Sequence, residues 1–315
     1  MARAAAIDFL LASREPAIRF LTRRDVLGED VTPDRDEILS GPLVRGLLHG
    51  QKRDGGFGVH PYQKWGGAHW RLVSLVELGV PADDRLRAAA ENVLGWLTGD
   101  GHRQRIEVID GLTRRCASQE GNALAVCCRL GMADDPRVQL LARSLVEWQW
   151  PDGGWNCDKK AGGRRSSFNE SLPPMWGLHE YWAATGDEPA RTSADRTAEL
   201  FFEHDLFRSL KTGKPIHDGW LVAHYPPYWH YEVPQALLLL SRMDKIDDPR
   251  ANDALDLLVG LQRADGCWHK GPSWWRKPGS SGSNVEVVDW GGRGPSEMIT
   301  LNALRILRAA GRLDA

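Results

Sequence analysis

An all-α fold built from repeated helical hairpins is what this sequence predicts, and three observations predict it. A short kernel (Gln, two residues, Asp-Gly, one residue, an aromatic) recurs at unchanged spacing as Gln51 to Phe57, Gln149 to Trp155 and Gln262 to Trp268. Between kernels, apolar residues recur at helical intervals, as in Ile38, Leu39, Leu43, Val44, Leu47 and Leu48. Asp-Gly pairs at 54, 100, 152, 218 and 265 set a repeat of about fifty residues, the length of two helices with their connections.

The chain opens with a helical pair over residues 1–30, interrupted near Pro16, and residues 31–315 carry the repeats. In each repeat a first helix leads into a kernel loop and a second helix follows. Second helices are expected to stop near Gly79, Gly131, Gly186 and Gly311, because glycine adopts the left-handed conformation that closes a helix at little cost. First helices are announced by Asp84, Asp135-Pro136, Asp187 and Asp248-Pro249: Asp accepts the free amide hydrogens of the first turn, and Pro fits the first helical position. First helices such as 250–261 mix polar residues with leucines, whereas second helices such as 172–178, 236–240 and 299–307 are apolar nearly all round, as buried helices are. Five to six such hairpins, with the second helices turned inward, close into an α/α toroid with an inner ring of parallel helices, a single domain over 1–315.

Composition narrows the function classes. With 42% apolar and 26% charged residues the chain is globular, and a formal charge of -2 argues against a nucleic-acid partner. No apolar run reaches the roughly 20 residues of a transmembrane helix. Five cysteines, an odd number, and a start without a signal-type apolar run predict free thiols and a cytoplasmic location. The 14 tryptophans exceed what a core alone requires.

The repeated kernel resembles that of the squalene-hopene cyclase and protein prenyltransferase superfamily, whose domains are α/α toroids. The run Trp155-Asn156-Cys157-Asp158 followed by Ser166 to Glu170, and the run Pro227 to Val233, resemble a bacterial single-toroid branch described as prenyltransferase and squalene oxidase repeat proteins. The resemblance implies that the kernel Gln and aromatic residues are structural and that the ligand is apolar and isoprenoid-like. It does not bring a reaction with it. The cyclases' Asp-x-Asp-Asp motif is missing, as is the Asp-Asp-x-x-Asp metal motif, and the Asp pairs at 83, 134 and 247 read as helix caps.

Function is expected where the second helices begin, because their unpaired amides and aligned dipoles converge there. Glu170, His230, Glu232, Glu297 and Asp158 are the candidate catalytic residues: acids beside a histidine exchange protons, and an acid pressed against aromatic rings has its pKa raised and acts as a general acid. Candidate binding residues are Trp65, Phe168, Tyr228, Trp229, Trp275 and Trp290 as cavity-lining, cation-stabilising rings; His69 and Glu120 at helix starts; and Lys160 and Arg165 for an anionic headgroup. Cys157, Asp158 and His230 are candidate metal ligands by residue type alone. No cofactor is predicted, and neither zinc nor magnesium is called for by a motif. The long connection Gly271 to Gly294 has the length of a lid. The expectation is a terpenoid-cyclase-like protein holding an isoprenoid-type ligand with an anionic headgroup in an aromatic central cavity, with acid-initiated cyclisation or isomerisation. Two alternatives stay open: a non-catalytic lipid- or partner-binding scaffold, and a polysaccharide lyase or glycoside hydrolase using aromatic platforms and paired carboxylates.

Overall fold

The computed structural model describes residues 2–313. The chain is mostly helical, with fourteen α-helices and one two-stranded antiparallel sheet among those residues. The sequence alone reads as one domain, and by internal contacts the chain divides into two compact units. One comprises Met1–His49, Glu77–Pro81 and Phe202–Ala315, the other Gly50–Val76 and Ala82–Phe201.

The first unit begins with α1 (Ala2–Leu11) and α2 (Pro16–Leu21), then a π-helical stretch at Thr22–Leu27. The next apolar repeat forms α3 (Arg35–Ser40) and α4 (Pro42–Leu48), two helices because Pro42 lacks the amide hydrogen that would continue α3. Asp34 caps α3 by accepting from the Glu37 amide. Buried Glu15 accepts from Leu43 N at 2.7 Å and so holds the start of α4.

The second unit holds α5 (Ala68–Glu77) up to Val76, α6 (Asp84–Thr98), α7 (Asp100–Arg103), β1 (Glu107–Ile109), β2 (Leu112–Arg114), α8 (Ser118–Arg129), α9 (Pro136–Trp148), α10 (Phe168–Thr185) and most of α11 (Glu188–Glu203). Helices α8 and α10 are buried almost all round, whereas α6 and α9 bury one face. The two buried helices pack backbone to backbone: a Cβ on Gly121 would lie 2.3 Å from Pro174 N, and one on Gly177 2.4 Å from Gly121 O. No residue larger than glycine fits at that crossing without displacing main chain.

The first unit resumes with α12 (Val233–Arg242), α13 (Asn252–Gly260) and α14 (Glu297–Ala309). Helices α12 and α14 pack together and are again apolar on most sides. Arg242 makes a two-pronged ion pair with Glu77 at 3.0 and 2.8 Å, and Arg305 reaches Asp25 at 2.9 Å.

Helix boundaries follow the local signals. Gly79, Gly131, Gly186 and Gly311 have φ of 67°, 70°, 76° and 63°, the left-handed conformation expected of helix stops. Asp135 and Asp248 accept from the amides of Arg137 and Arg250, and Asp187 from that of Ala190. The cap of α6 is Asp83 rather than Asp84: its carboxylate accepts from Leu86 N at 2.9 Å. Asp100-Gly101 starts the short α7 instead of forming a kernel loop.

The three kernels share one internal geometry. In each, the Asp-Gly glycine (Gly55, Gly153, Gly266) has positive φ, and its amide closes a turn onto the residue three before it. The glutamine amide donates to that glycine's carbonyl, at 3.2 Å from Gln51, 2.8 Å from Gln149 and 2.9 Å from Gln262. Gln51 also reaches Arg85 O on α6, and Gln149 reaches Ser193 O on α11. Trp155 and Trp268 donate their indole N–H to Leu145 O and Leu258 O, carbonyls in the last turns of α9 and α13. Phe57 has no such donor, and the Arg71 guanidinium lies 3.9 Å from its ring instead. The kernels are scaffold, tying loops to helix ends.

Candidate functional site

Two clusters of ionisable groups stand out, one in each unit. In the second unit, β2 leads directly into α8. Arg114 bridges Asn156, and Arg115 N donates to Asn156 O at 3.1 Å, so the segments just before Cys116 and Cys157 run side by side. The close crossing of α8 and α10 then brings Glu170, in the first turn of α10, to the first turn of α8, where its Oε2 accepts from Ser118 N at 3.0 Å. Cys157 Sγ donates to Glu170 Oε1 at 3.9 Å, and the ligand atoms of Cys116, Cys157 and Glu170 all lie within 4.8 Å of one another.

Burial raises the Glu170 pKa, against the lowering effect of the Ser118 amide. A hydrogen bond from Cys116 lowers the Cys157 thiol, and the same bond together with burial pushes Cys116 up. Beside them, Glu120 Oε1 accepts from Arg115 Nε at 2.8 Å and lies 3.0 Å from His102 Nε2, while Glu120 Oε2 is buried with no partner among the described residues. Tyr62 is pushed up to about 12 by burial, with Glu170, Cys116 and Cys157 adding to the shift. Its ring lies 5.6 Å from His69, 5.1 Å from Trp70 and 5.3 Å from Trp96. His69 is only 1% exposed, its Nε2 has no partner among the described residues, and burial lowers it to about 3, so the imidazole is neutral.

In the first unit the cluster is aromatic. Glu232 precedes α12, whose second residue is Pro234, and its buried Oε2 accepts from His224 N at 2.9 Å and lies 2.8 Å from His224 Nδ1. Burial raises the Glu232 pKa, and the bond from His224 opposes it. Four rings form a ladder: His224 to Trp274 at 4.3 Å, Trp274 to His230 at 4.3 Å and 10° between planes, and His230 to Trp229 at 4.0 Å. His230 Nδ1 lies 3.1 Å from Pro227 O, which only accepts, so that nitrogen carries the hydrogen. The Tyr228 hydroxyl donates to buried Glu286. The segment 271–294 folds onto this block through backbone bonds, from Gly271 N to Ala223 O at 2.9 Å and from Lys270 N to Gly294 O at 3.2 Å. Trp275 lies under the Lys270 ammonium, 5.2 Å from it, and Trp290 meets Tyr225 edge-on at 5.0 Å.

The remaining expected residues lie elsewhere. Asp158, Lys160 and Arg165 are exposed on the loop after Cys157, where Asp158 accepts from the Lys160 amide. Phe168 is buried against Phe201, their rings 5.0 Å apart, and Trp65 packs edge-on to Trp70. Glu297, in the first turn of α14, adds repulsion that raises buried Glu15. Among the described residues, the group with metal-ligand spacing is Cys116, Cys157 and Glu170, which includes neither Asp158 nor His230. Several loop cations are committed internally: Arg103 to Ser144 Oγ, Arg114 to Gly163 O and over the Trp150 ring, Arg164 to Asp110 O.

Sequence reasoning missed Tyr62, His102, Cys116, His224 and Glu286. A signal existed for His224, which lies eight residues before Glu232 across the turn-forming Pro226-Pro227 pair. None existed for Cys116, whose partners Cys157 and Glu170 arrive from distant loops.

No family model matches the chain, and no curated protein matches it. A crystal structure of a protein from Actinoplanes aligns over 98% of this chain and 98% of its own, at 19% identity and a TM-score of 0.45, a level of likeness that does not establish a shared fold.

Proposed function

We propose that this chain is a terpenoid-cyclase-like protein, an α/α toroid of helical hairpins, that binds an apolar, isoprenoid-type ligand and rearranges it by proton transfer from the Glu232–His224 pair. The toroid reading is supported by the alternation of one-sided helices (α6, α9, α13) with helices buried nearly all round (α8, α10, α12, α14) and by the repeated kernel between them. Buried Glu232 carries the functional reading. Its Oε2 accepts from the His224 backbone N–H and lies 2.8 Å from the ring Nδ1, so the carboxyl group is held in place by one residue. A carboxylic acid whose pKa is raised by burial is suited to delivering a proton to a carbon–carbon double bond. Neighbouring indole faces stabilise the resulting cation by about 0.5 to 2 kcal/mol each.

The test is incubation of the full chain with squalene and with farnesyl diphosphate in deuterated water, reading deuterium incorporation in recovered hydrocarbon. Label is expected with the wild type and not with Glu232→Gln. Equal incorporation by both proteins would sink the proposal. A non-catalytic ligand-binding scaffold is favoured by one observation: Trp229, His230 and Trp274 stack on one another, which occupies ring faces. Co-purified lipid in native mass spectra without any label incorporation would decide for that reading.

A further inference from the structure

Beyond the acid chemistry of Glu232, the second unit holds a group of side chains that neither that chemistry nor the packing of the core requires. We propose that Cys116, Cys157 and Glu170 form a zinc site with three protein ligands and one open position.

Geometry comes first. In a tetrahedral zinc site with Zn–S of about 2.3 Å and Zn–O of about 2.0 Å, sulfur atoms lie about 3.8 Å apart and sulfur and oxygen about 3.5 Å apart. Here Cys157 Sγ and Glu170 Oε1 are 3.9 Å apart, and all three ligand atoms lie within 4.8 Å of one another. Side-chain movements of roughly 1 Å or less per ligand atom close the triangle around an ion.

The triangle is also braced from outside. The backbone bond from Arg115 N to Asn156 O, at 3.1 Å, clamps the segments immediately ahead of both cysteines. Ser167 N donates to Trp155 O at 2.8 Å, and Ser171 Oγ accepts from Trp155 N at 3.0 Å, so the strand carrying Cys157 is pinned to the start of α10. Ser118 N occupies Glu170 Oε2, which orients Oε1 toward the thiols, the role that outer-shell donors play for metal-bound carboxylates. Three segments distant in sequence are thus each held by an independent tether.

Chemistry selects the ion. Two thiolates and one carboxylate suit zinc, whereas magnesium and calcium require oxygen ligands throughout. The ligands would carry three negative charges, the ion supplies two positive ones, and Arg115 is close enough to act electrostatically on both Glu170 and Cys116. Tyr62 stands within electrostatic reach of all three ligands. Three protein ligands in place of four is the arrangement that leaves room for water or a substrate atom.

Cobalt(II) provides the probe, because a thiolate-bound cobalt ion absorbs strongly through sulfur-to-metal charge transfer. The full chain, reduced and freed of metal with a chelator that is then removed, is titrated with cobalt(II). One equivalent is expected to bind with a charge-transfer band, and zinc is expected to displace it. Cys116→Ser and Cys157→Ser are each expected to weaken binding by more than the 10–100-fold typical of losing an outer-shell partner. Cys267→Ser, which alters a buried cysteine of the other unit, and Glu232→Gln are expected to keep the band, so the outcome is independent of the proton-transfer proposal. Binding below stoichiometry, a band that survives the Cys116→Ser/Cys157→Ser double substitution, or a Cys116–Cys157 disulfide in protein isolated with a thiol reductant present would each overturn the zinc site.

Discussion

Both units bury an acid where an apolar helix begins, and they satisfy it in different ways. In the second unit Glu170 meets a backbone amide from α8 and two thiols, all delivered by loops and helices from elsewhere in the chain. In the first unit Glu232 meets His224, eight residues away, whose backbone N–H and ring Nδ1 both reach one oxygen. Burial raises the pKa of both acids, so the difference lies in what surrounds them. Two thiols stand beside Glu170, whereas an imidazole and its stacked rings stand beside Glu232. An acid at the start of a buried helix thus acquires different neighbours in each unit.

The largest expected effect breaks this comparison at the helix crossing. Gly121→Val pushes side-chain atoms into the backbone of Pro173 and Pro174, and it should cost about 3 kcal/mol or more in urea unfolding. Gly101→Ala, with nothing within 4 Å of the added carbon, should stay close to wild type. A small loss at Gly121 would mean that α8 and α10 can separate and that Glu170 is not held where its partners require it.

His224→Ala should cost about 1–3 kcal/mol, because it strips the ring partner from a buried carboxyl group and leaves the backbone amide. The pH dependence sharpens the point. Burial raises Glu232 above its ordinary 4.5, so the folded protein keeps a proton that the unfolded chain has released. That contribution to stability is complete below pH 4.5 and is lost as pH rises through the folded-state value. Thermal unfolding of wild type and Glu232→Gln across pH 4 to 8 should therefore show the wild-type advantage shrinking as pH rises. An advantage that grows with pH would contradict the burial of a neutral acid.

A third effect tests what the two units share. Trp155→Phe in one unit and Trp268→Phe in the other each remove an indole N–H from a carbonyl at a helix end, and each should cost about 1 kcal/mol. Equal losses mark a common scaffold element, and a loss at one site only would show that the kernels are not equivalent. The smallest effect is a gain. Gly95 is exposed within α6 with open space at its Cβ, so Gly95→Ala should stabilise the chain by about 0.5–1 kcal/mol, read as a raised unfolding midpoint.

Much of the local structure was legible in advance. The glycines at 79, 131, 186 and 311 and the Asp-Pro starts at 135 and 248 act within one helical turn, so their meaning does not depend on the rest of the fold. The error of one residue at the α6 cap has the same local character: Asp83 has the extended backbone that lets its carboxylate accept from the amide of Leu86, and Asp84 is already the first helical residue. Site legibility was uneven. Glu170 and Glu232 were singled out because an acid opening an apolar helix stands out, and the structure buries both. Cys116 was not, because nothing in its neighbouring residues announces the groups it meets, and His224 was passed over although it lies only eight residues before Glu232. The loop residues Asp158, Lys160 and Arg165 drew attention by charge density, and exposure keeps them in solvent.

By itself the sequence determined where helices start and stop, which of them are apolar on all sides, and that one loop geometry recurs three times. Those properties arise from backbone capping, side-chain periodicity and glycine's conformational freedom, which act over a few residues. Only the tertiary structure decided that Ser118 would meet Glu170 across 52 residues of chain. That contact exists because Gly121 and Gly177 let two helices approach backbone to backbone, and no short stretch of sequence encodes how closely two distant helices pack.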